Sequence, residues 1–447
     1  AFIPHPAIRV GGRAGDSITH TEITQIGFLR SLTKYFKDHI DDATKIDLSK
    51  SYTINDLYKL YYNVNDKEAQ KYTTPIKSVI DVILVENALV DFNNATKKLP
   101  AAHFDSEAFI NGSRRILTIR KLIIDDVKEK KEYKEARKYI GQLLHTLQDF
   151  YSHSNWLELG KTVINDKLGV ELIIGQVASP NQSTCTNEGC LKTKVRCGPY
   201  QKLTLNKCPL IYFDCINNIR QEIITQGLLT SGFSINQFNE FGQAIFKPKN
   251  VEKCSHGGVL DTSSYVNAVG GINKDTVSAI YSPHHYLHYD AADLATNQTE
   301  KFFNDLRRDL GDQDYAELFD IHPSKSKMIV QGFVDKFRKY HFFTNSVSSG
   351  MSFGHNLYLN FKNSIKNRFS KIKKLFGRQT EVPDYKTGAE DSNGDLKPGD
   401  KDDVHTGILM KRLFHIDQDL SSNKNVHQQD LIHRKRIIEV LRQTYDR

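Results

Sequence analysis

The chain has 447 residues, 39% of them hydrophobic and 26% charged. That balance excludes wholesale disorder and supplies a large core, in roughly two or three domains by length. The formal net charge of +8 favours an anionic surface or substrate without choosing one, and no run of about 18 apolar residues is present, so no transmembrane helix is expected.

Residues 1–16 hold two Pro and three Gly and read as extended. The first residue is Ala, which suits a mature form that has lost a signal peptide; an artificial start would look the same. Thr19-His20-Thr21-Glu22 forms a capping-box pattern ahead of Ile23, Ile26, Leu29 and Leu32, so His20 falls in the first turn of a helix. Pro75 is expected to open another helix, with Ile76, Val79, Ile80, Ile83 and Leu84 on its apolar side and Asp91 near its end. His103-Phe104-Asp105 lies in a loop after Pro100, and Arg114 to Lys131 reads as a charged helix.

Lys138 to Glu158 is broken only by Gly141, and a helix ending near Gly160 is the natural reading. On it, His145, Asp149 and His153 stack every fourth residue into one polar stripe. Imidazole over carboxylate at this spacing is half of a divalent-cation site, and zinc suits it best. A lone pair of this kind also reads as an ordinary surface pair. The third member, among apolar neighbours that should bury the helix, raises the metal reading to equal standing. Tyr151 and Trp156 read as core or cleft wall.

All six cysteines lie between Cys185 and Cys254, and four acceptor sequons occur at Asn94, Asn111, Asn181 and Asn297. A secreted chain with up to three disulfides of open connectivity follows. Residues 161–260 are expected to be a loop-rich, disulfide-stapled insertion with a short helix around 215–225. Ser282-Pro283 reads as a cap and first helical residue, placing His284 and His288 on one helical face and His285 on the surface, in a helix that stops at Gly311. From Asn360 to Arg378 seven basic residues interleave with Phe and Ile; an anionic membrane or nucleic acid fits, and a solvated helix face is the simpler reading. Residues 379–403 read as a linker, and 404–447 as a C-terminal helical segment.

His20, Asp91, His103, Asp105, His145, Asp149, His153, His284 and His288 thus sit at helix ends and in one loop. A helical fold can gather such groups in a cleft. There they could hold two or three zinc ions suited to phosphodiester hydrolysis.

Leu144-His145-Thr146-Leu147-Gln148-Asp149 resembles the metal-binding helix of the zinc-dependent phospholipase C and single-strand nuclease superfamily. The run from His145 to Leu159 is closer to the Het-C heterokaryon-incompatibility proteins and to the amino-terminal region of von Willebrand A domain-containing secreted proteins. His103-Phe104-Asp105, Cys254-Ser255-His256-Gly257-Gly258, Gly271 to Asp275 and Ser282 to His285 carry that second match, over roughly residues 1–320. No Asp-x-Ser-x-Ser occurs after residue 320, so a von Willebrand A domain is not expected.

The resemblance implies an all-α domain over 1–320 around three zinc ions, followed by a helical extension over 321–378. It implies that His145 and Asp149 bind the first metal, Asp149 also bridging to another. His103 matches the family's His-Phe element. Asp91 matches the carboxylate that helps hold the attacking water. His20 matches the early His that acts with the amino terminus. His153, His284 and His288 would supply the remaining metal. The departures are a spacing of four rather than six from Asp149 to the next His, Ala1 in place of Trp, and His288 where the family carries a carboxylate. Asp105 stays open between turn residue and ligand, and His256 reads as a loop residue. The expected function is phospholipase C-like hydrolysis of phospholipid, with nucleic acid the lesser alternative. A non-catalytic secreted scaffold or adhesion module that keeps the fold is the competing reading.

Overall fold

The structure, a computed structural model, describes residues 1–6, 16–195, 210–324 and 327–328. The expected basic helix, the linker, the C-terminal helical segment, Cys197 and Cys208 lie outside the described residues.

Helix α1 (His20–His39) opens on the predicted capping box: the Thr19 hydroxyl accepts from the Glu22 amide, and the Glu22 carboxylate accepts from the Thr19 amide. Helices α2 (Ile54–Tyr62) and α3 (Asp66–Leu89) follow. Pro75 does not open α3 but lies inside it. Asn65 caps the true start through its side-chain oxygen. The buried stripe Ala69, Ile76, Ile80, Ile83 runs unbroken past the proline, so packing outweighs the missing hydrogen bond. Short α4 (Pro100–His103), α5 (Phe109–Asp125) and α6 (Tyr133–His153) come next, α5 ending in a π-turn over Asp126–Lys130.

Helix α6 ends at His153, short of Gly160. Ser154 is extended and bridges to Ser231, while the Asn155 side chain bonds Leu228 and Thr230, so the chain leaves the helix to pair with the insertion. The insertion contains strands β1 (Cys190–Val195) and β2 (Leu210–Cys215), antiparallel with Cys190 opposite Cys215. Helix α7 (Gln221–Gln226) and the small hairpin β3 (Gln237–Phe238) and β4 (Ala244–Ile245) complete it. Cys185–Cys254 and Cys190–Cys215 are disulfides. Helix α8 (His288–Leu310) and α9 (Asp312–Phe319) end the described chain.

The fold is mainly α. One core joins α1, α3, α5, α6, α8 and α9 through Phe28, Phe36, Ile83, Ile116, Leu144, Phe303 and Phe319. A satellite core under the insertion packs the Cys185–Cys254 pair on Ile219, Ile223 and Ile272. Each fully buried Leu, Ile or Phe adds roughly 1.5–3 kcal/mol over its exposed state.

Gly141 sets the spacing of the two central helices. A Cβ there would stand 2.4 Å from the Ile83 carbonyl oxygen and 2.8 Å from the Asn87 amide nitrogen. Both are backbone atoms that cannot step aside. We therefore expect Gly141→Ala to cost about 1–3 kcal/mol in chemical unfolding, and to pull Asn87 away from His145, which it now contacts at 3.2 Å.

Candidate metal centre

The α6 stripe faces inward. His145 and Asp149 are fully buried, and His145 Nε2 lies 3.1 Å from Asp149 Oδ2. Around them the helix ends converge. Asp91 follows α3, and its Oδ1 is 3.5 Å from His145 Nε2 and 3.8 Å from His103 Nδ1. His103, the last residue of α4, brings Nδ1 to 2.9 Å from Asp149 Oδ2 and 3.2 Å from His145 Nε2. From the first turn of α1, His20 sets Nε2 at 3.2 Å from the other Asp149 oxygen and stacks its ring on His145 at 4.2 Å. His145 is therefore common to two groups, one with His20 and Asp149, the other with Asp91 and His103, and Asp149 reaches toward the second through its contact with His103.

A third group lies one turn along the stripe. His153 Nδ1 is 3.0 Å from Asp105 Oδ1, and its Nε2 is 3.2 Å from His256 Nε2 and 3.1 Å from Asp275 Oδ1. Asp275 Oδ2 also meets His256 Nε2 at 3.2 Å and the Ala1 amine at 3.1 Å. Asp105 is held between left-handed residues, Phe104 at φ 55° and Ser106 at φ 53°, in a turn closed by the Asp105 amide on the Pro100 carbonyl.

The outward nitrogens of the five imidazoles explain how the site is built. His20 Nδ1 meets the Gln148 side-chain oxygen at 2.7 Å, and His145 Nδ1 meets the Asn87 side-chain oxygen at 3.2 Å. His103 Nε2 meets the Thr96 carbonyl, His153 Nδ1 the His103 carbonyl, and His256 Nδ1 the Gly257 carbonyl. Those oxygens only accept, so the rings of His20, His103, His145 and His153 donate outward, while His256 Nδ1 also faces the Asn273 amide nitrogen at 3.3 Å. His20 Nε2, His103 Nδ1, His145 Nε2, His153 Nε2 and His256 Nε2 are left facing the cluster, where a metal would take their lone pairs in place of any proton held there. Asn87 and Gln148 are themselves fixed, their amide nitrogens donating to the Thr24 hydroxyl at 3.2 and 2.9 Å. This is the outer support that metal-ligating histidines need.

His284 and His288 do not join the cluster. Ser282 spends its hydroxyl on Thr276 instead of capping a helix, and residues 285–287 form a separate 3-10 turn, so His284 and His288 share no helical face. Both nitrogens of each ring are used. His284 bonds Glu158 at 2.6 Å and Asn218 at 2.8 Å; His288 donates to the Lys274 carbonyl and accepts from the Ile18 amide. Glu158, Lys274 and His284 form a buried polar staple between the end of α6 and the 272–284 segment. Their expected places beside His153 are taken by Asp105, His256 and Asp275. His256 and Asp275 come from a stretch without helical periodicity; the Cys-Ser-His-Gly-Gly and Asn-Lys-Asp segments were the available signal. His285 is at the surface beside Asp214. Tyr151 is core and Trp156 packs on Phe150.

Electrostatics tie the groups together. Burial pulls His145 down, but Asp91 and Asp149 outweigh it and hold it up at about 9. Burial and the amino terminus depress His153, yet Asp105 and Asp275 carry it to about 10. Burial alone would raise Asp149 and Asp275; the amino terminus and surrounding imidazoles instead hold both well below the carboxylate range. Burial lowers His20, with His145 acting in the same direction.

A mainly helical domain stapled by disulfides, with imidazoles and carboxylates gathered in one buried cluster, is the class that fold and site define. The sequence profile of the VWA7 N-terminal domain matches residues 52–316, and the chain belongs to that family. Von Willebrand factor A domain-containing protein 7 of Mus musculus is 31% identical over 331 residues, covering 71% of this chain and 32% of the relative. The Homo sapiens protein of the same name is 31% identical over the same shares. The chain thus spans about a third of the length of these relatives. No solved structure matches it.

Proposed function

We propose that this domain is a secreted zinc-dependent phosphodiesterase, phospholipase C-like in its chemistry. The observation that carries the reading is a set of buried atoms without hydrogen-bond partners: His20 Nε2, Asp91 Oδ2, Asp105 Oδ1 and Asp149 Oδ1. Buried polar atoms are nearly always satisfied. These four belong to the three groups whose donor atoms lie within 4.8 Å of one another. Three of them approach a partner closely without hydrogen-bond alignment, His20 Nε2 and Asp149 Oδ1 at 3.2 Å from each other and Asp105 Oδ1 at 3.0 Å from His153 Nδ1. Ligands of one tetrahedral zinc stand about 3.3 Å apart, given zinc–ligand bonds of about 2.0–2.1 Å. Mixed imidazole and carboxylate donors suit zinc.

When bound, zinc supplies a lowered pKa for water and neutralises charge on phosphoryl oxygens. The chain's own residues do the rest. Asp91 is 19% exposed at its side chain, against 0% for His145 and Asp149, so it marks the opening of the cluster. Its unpartnered Oδ2 is free to accept a hydrogen bond from the attacking water and then its proton. Asp149 turns one oxygen to His20 and the other to His103 and His145, and so sets the spacing of the three rings. Asn87 and Gln148 hold His145 and His20 in the tautomers that leave the inner lone pairs free. Disulfides within the insertion suit an oxidising compartment, and no described helix is long and apolar enough to cross a membrane.

The test is elemental analysis of the purified chain, followed by assay on phosphatidylcholine and on single-stranded DNA. Metal in more than one group and lipid turnover are expected. One equivalent or less, or no turnover with zinc in excess, overturns the reading and leaves the non-catalytic scaffold. Turnover of DNA alone keeps the chemistry and moves the substrate.

A further inference from the structure

The β3–β4 hairpin places its most apolar side chains in water. Phe241 at the turn is 86% exposed and Phe246, just past β4, is 79% exposed; Phe238 and Ile235 are also exposed. These rings are not on a loose loop. The Asn239 side-chain oxygen accepts from the Phe241 and Gln243 amides at 3.0 and 2.9 Å, and the Asn239 amide donates to the Gln243 carbonyl.

One root of the hairpin is pinned to the third group and the other to the residue that precedes His256 in the chain. At β3, the Gln237 amide nitrogen donates to Asp105 Oδ2 at 2.6 Å, and its oxygen accepts from Ser106. Beyond β4, Lys247 turns inward and its ammonium bonds the Ser255 hydroxyl at 2.7 Å and the Val266 carbonyl at 2.6 Å. Ser255 directly precedes His256. Beside the roots lies a cavity of about 530 Å³ with an apolar wall of Val177, Ala178, Pro180, Phe233 and Pro248 and the Glu107–Lys253 ion pair on its lining. The Phe233 carbonyl accepts from the His256 amide at 2.7 Å, so cavity and cluster share a wall.

We propose that this hairpin is a wedge that docks the domain on a phospholipid bilayer and aligns the third group with the surface. Exposed aromatic rings at the tip of a stiff, narrow element suit the boundary between headgroup and acyl chain. Charge agrees: Lys98 stands 5.8 Å over the Phe238 ring, Lys249 is exposed beyond Phe246, and Glu240 is the one acid on the turn. A second copy of the chain is the poorer occupant. Two ladder pairs and a tight turn cannot cover the about 800 Å² per partner that a stable dimer needs. The cavity beside the roots would receive an apolar part of the lipid. This inference rests on the phospholipid reading for its purpose, but its test does not need turnover.

The experiment uses the full chain with sucrose-loaded vesicles of phosphatidylcholine, with and without phosphatidylserine, in chelator. Wild type sediments with vesicles, more so with phosphatidylserine; Phe241→Ser/Phe246→Ser partitions at least tenfold less. Phe241→Trp emission shifts to the blue on vesicle addition. Equal partitioning of the double variant overturns the proposal. So does an emission shift that follows protein concentration and not lipid, which assigns the hairpin to a second copy. Vesicle binding here, with no hydrolysis of the same vesicles in a parallel assay with zinc in excess and no chelator, sinks the catalytic reading and spares this one. Hydrolysis of a water-soluble diester without hairpin-dependent vesicle binding does the reverse.

Discussion

Asp149→Asn is expected to empty the group that Asp149 forms with His20 and His145, to weaken the adjoining Asp91–His103–His145 group, and to lower turnover by roughly a thousandfold or more. The reason is geometric. Asp149 presents one oxygen to His103 and His145 at 2.9 and 3.1 Å and the other to His20 at 3.2 Å. An amide fills the same volume but brings no charge, and its NH2 can donate to a ring nitrogen and occupy the lone pair that a metal would need. The group formed by Asp105, His153 and His256 does not include Asp149 and should stay filled. Elemental analysis should then show metal lost around His145 and kept by the Asp105–His153–His256 group. Stability of the metal-free chain should also drop by about 3–5 kcal/mol, the usual result of removing one member of a buried charge cluster. Glu158→Gln is the informative contrast. It breaks a buried network of the same kind with Lys274 and His284. The chain should lose comparable stability and keep all its metal. Were Glu158→Gln to lose metal as Asp149→Asn does, the placement of His284 outside the centre would be wrong.

Local patterns in the sequence were read reliably where local physics decides them. The Thr19–Glu22 capping box and the inward stripe of α6 both depend on contacts within a turn or two. The gathering of His20, Asp91 and His103 on that stripe is a long-range fact. Their positions at helix ends and in one loop suggest it, and the family resemblance assigns each a place; composition and spacing alone do not set the distances. Helix boundaries were misread where a distant partner sets them. Ser154 leaves α6 because residues 228–231 offer it a strand-like partner. The segment at Ser282 fails to start a helix because Thr276 takes the serine hydroxyl. His256 and Asp275 carry no periodic signal at all. Their positions are set by the Cys185–Cys254 disulfide and by contacts with the end of α6, including the Ser152 hydroxyl on Asp275 at 2.5 Å. The β3–β4 hairpin was hidden for a similar reason, since its strands have two residues each and no alternation to detect.

Opposite pH responses of the metal-free and zinc-loaded chains are the second large effect expected. In the metal-free chain His145 titrates at about 9 and His153 at about 10, both above the roughly 6.5 of an unfolded histidine. A raised folded pKa adds stability that is complete below about 6.5 and is lost as pH climbs through the folded value. The buried Ala1 amine, held up at about 11, acts in the same direction. From about pH 7 to 10 the metal-free chain should therefore lose stability, on the order of several kcal/mol. Zinc inverts the requirement. It needs the lone pairs of His145 and His153, so binding must displace the protons that the neighbouring carboxylates hold there, and affinity rises with pH. The melting temperature gained on adding zinc should thus grow from pH 6 to 8.5 while the metal-free value declines. Titration calorimetry at pH 7.5 in buffers of different ionisation enthalpy should show about two protons released as the groups fill. No proton release, or a metal-free chain steadier at pH 9 than at pH 7, would remove the electrostatic basis of the proposed centre.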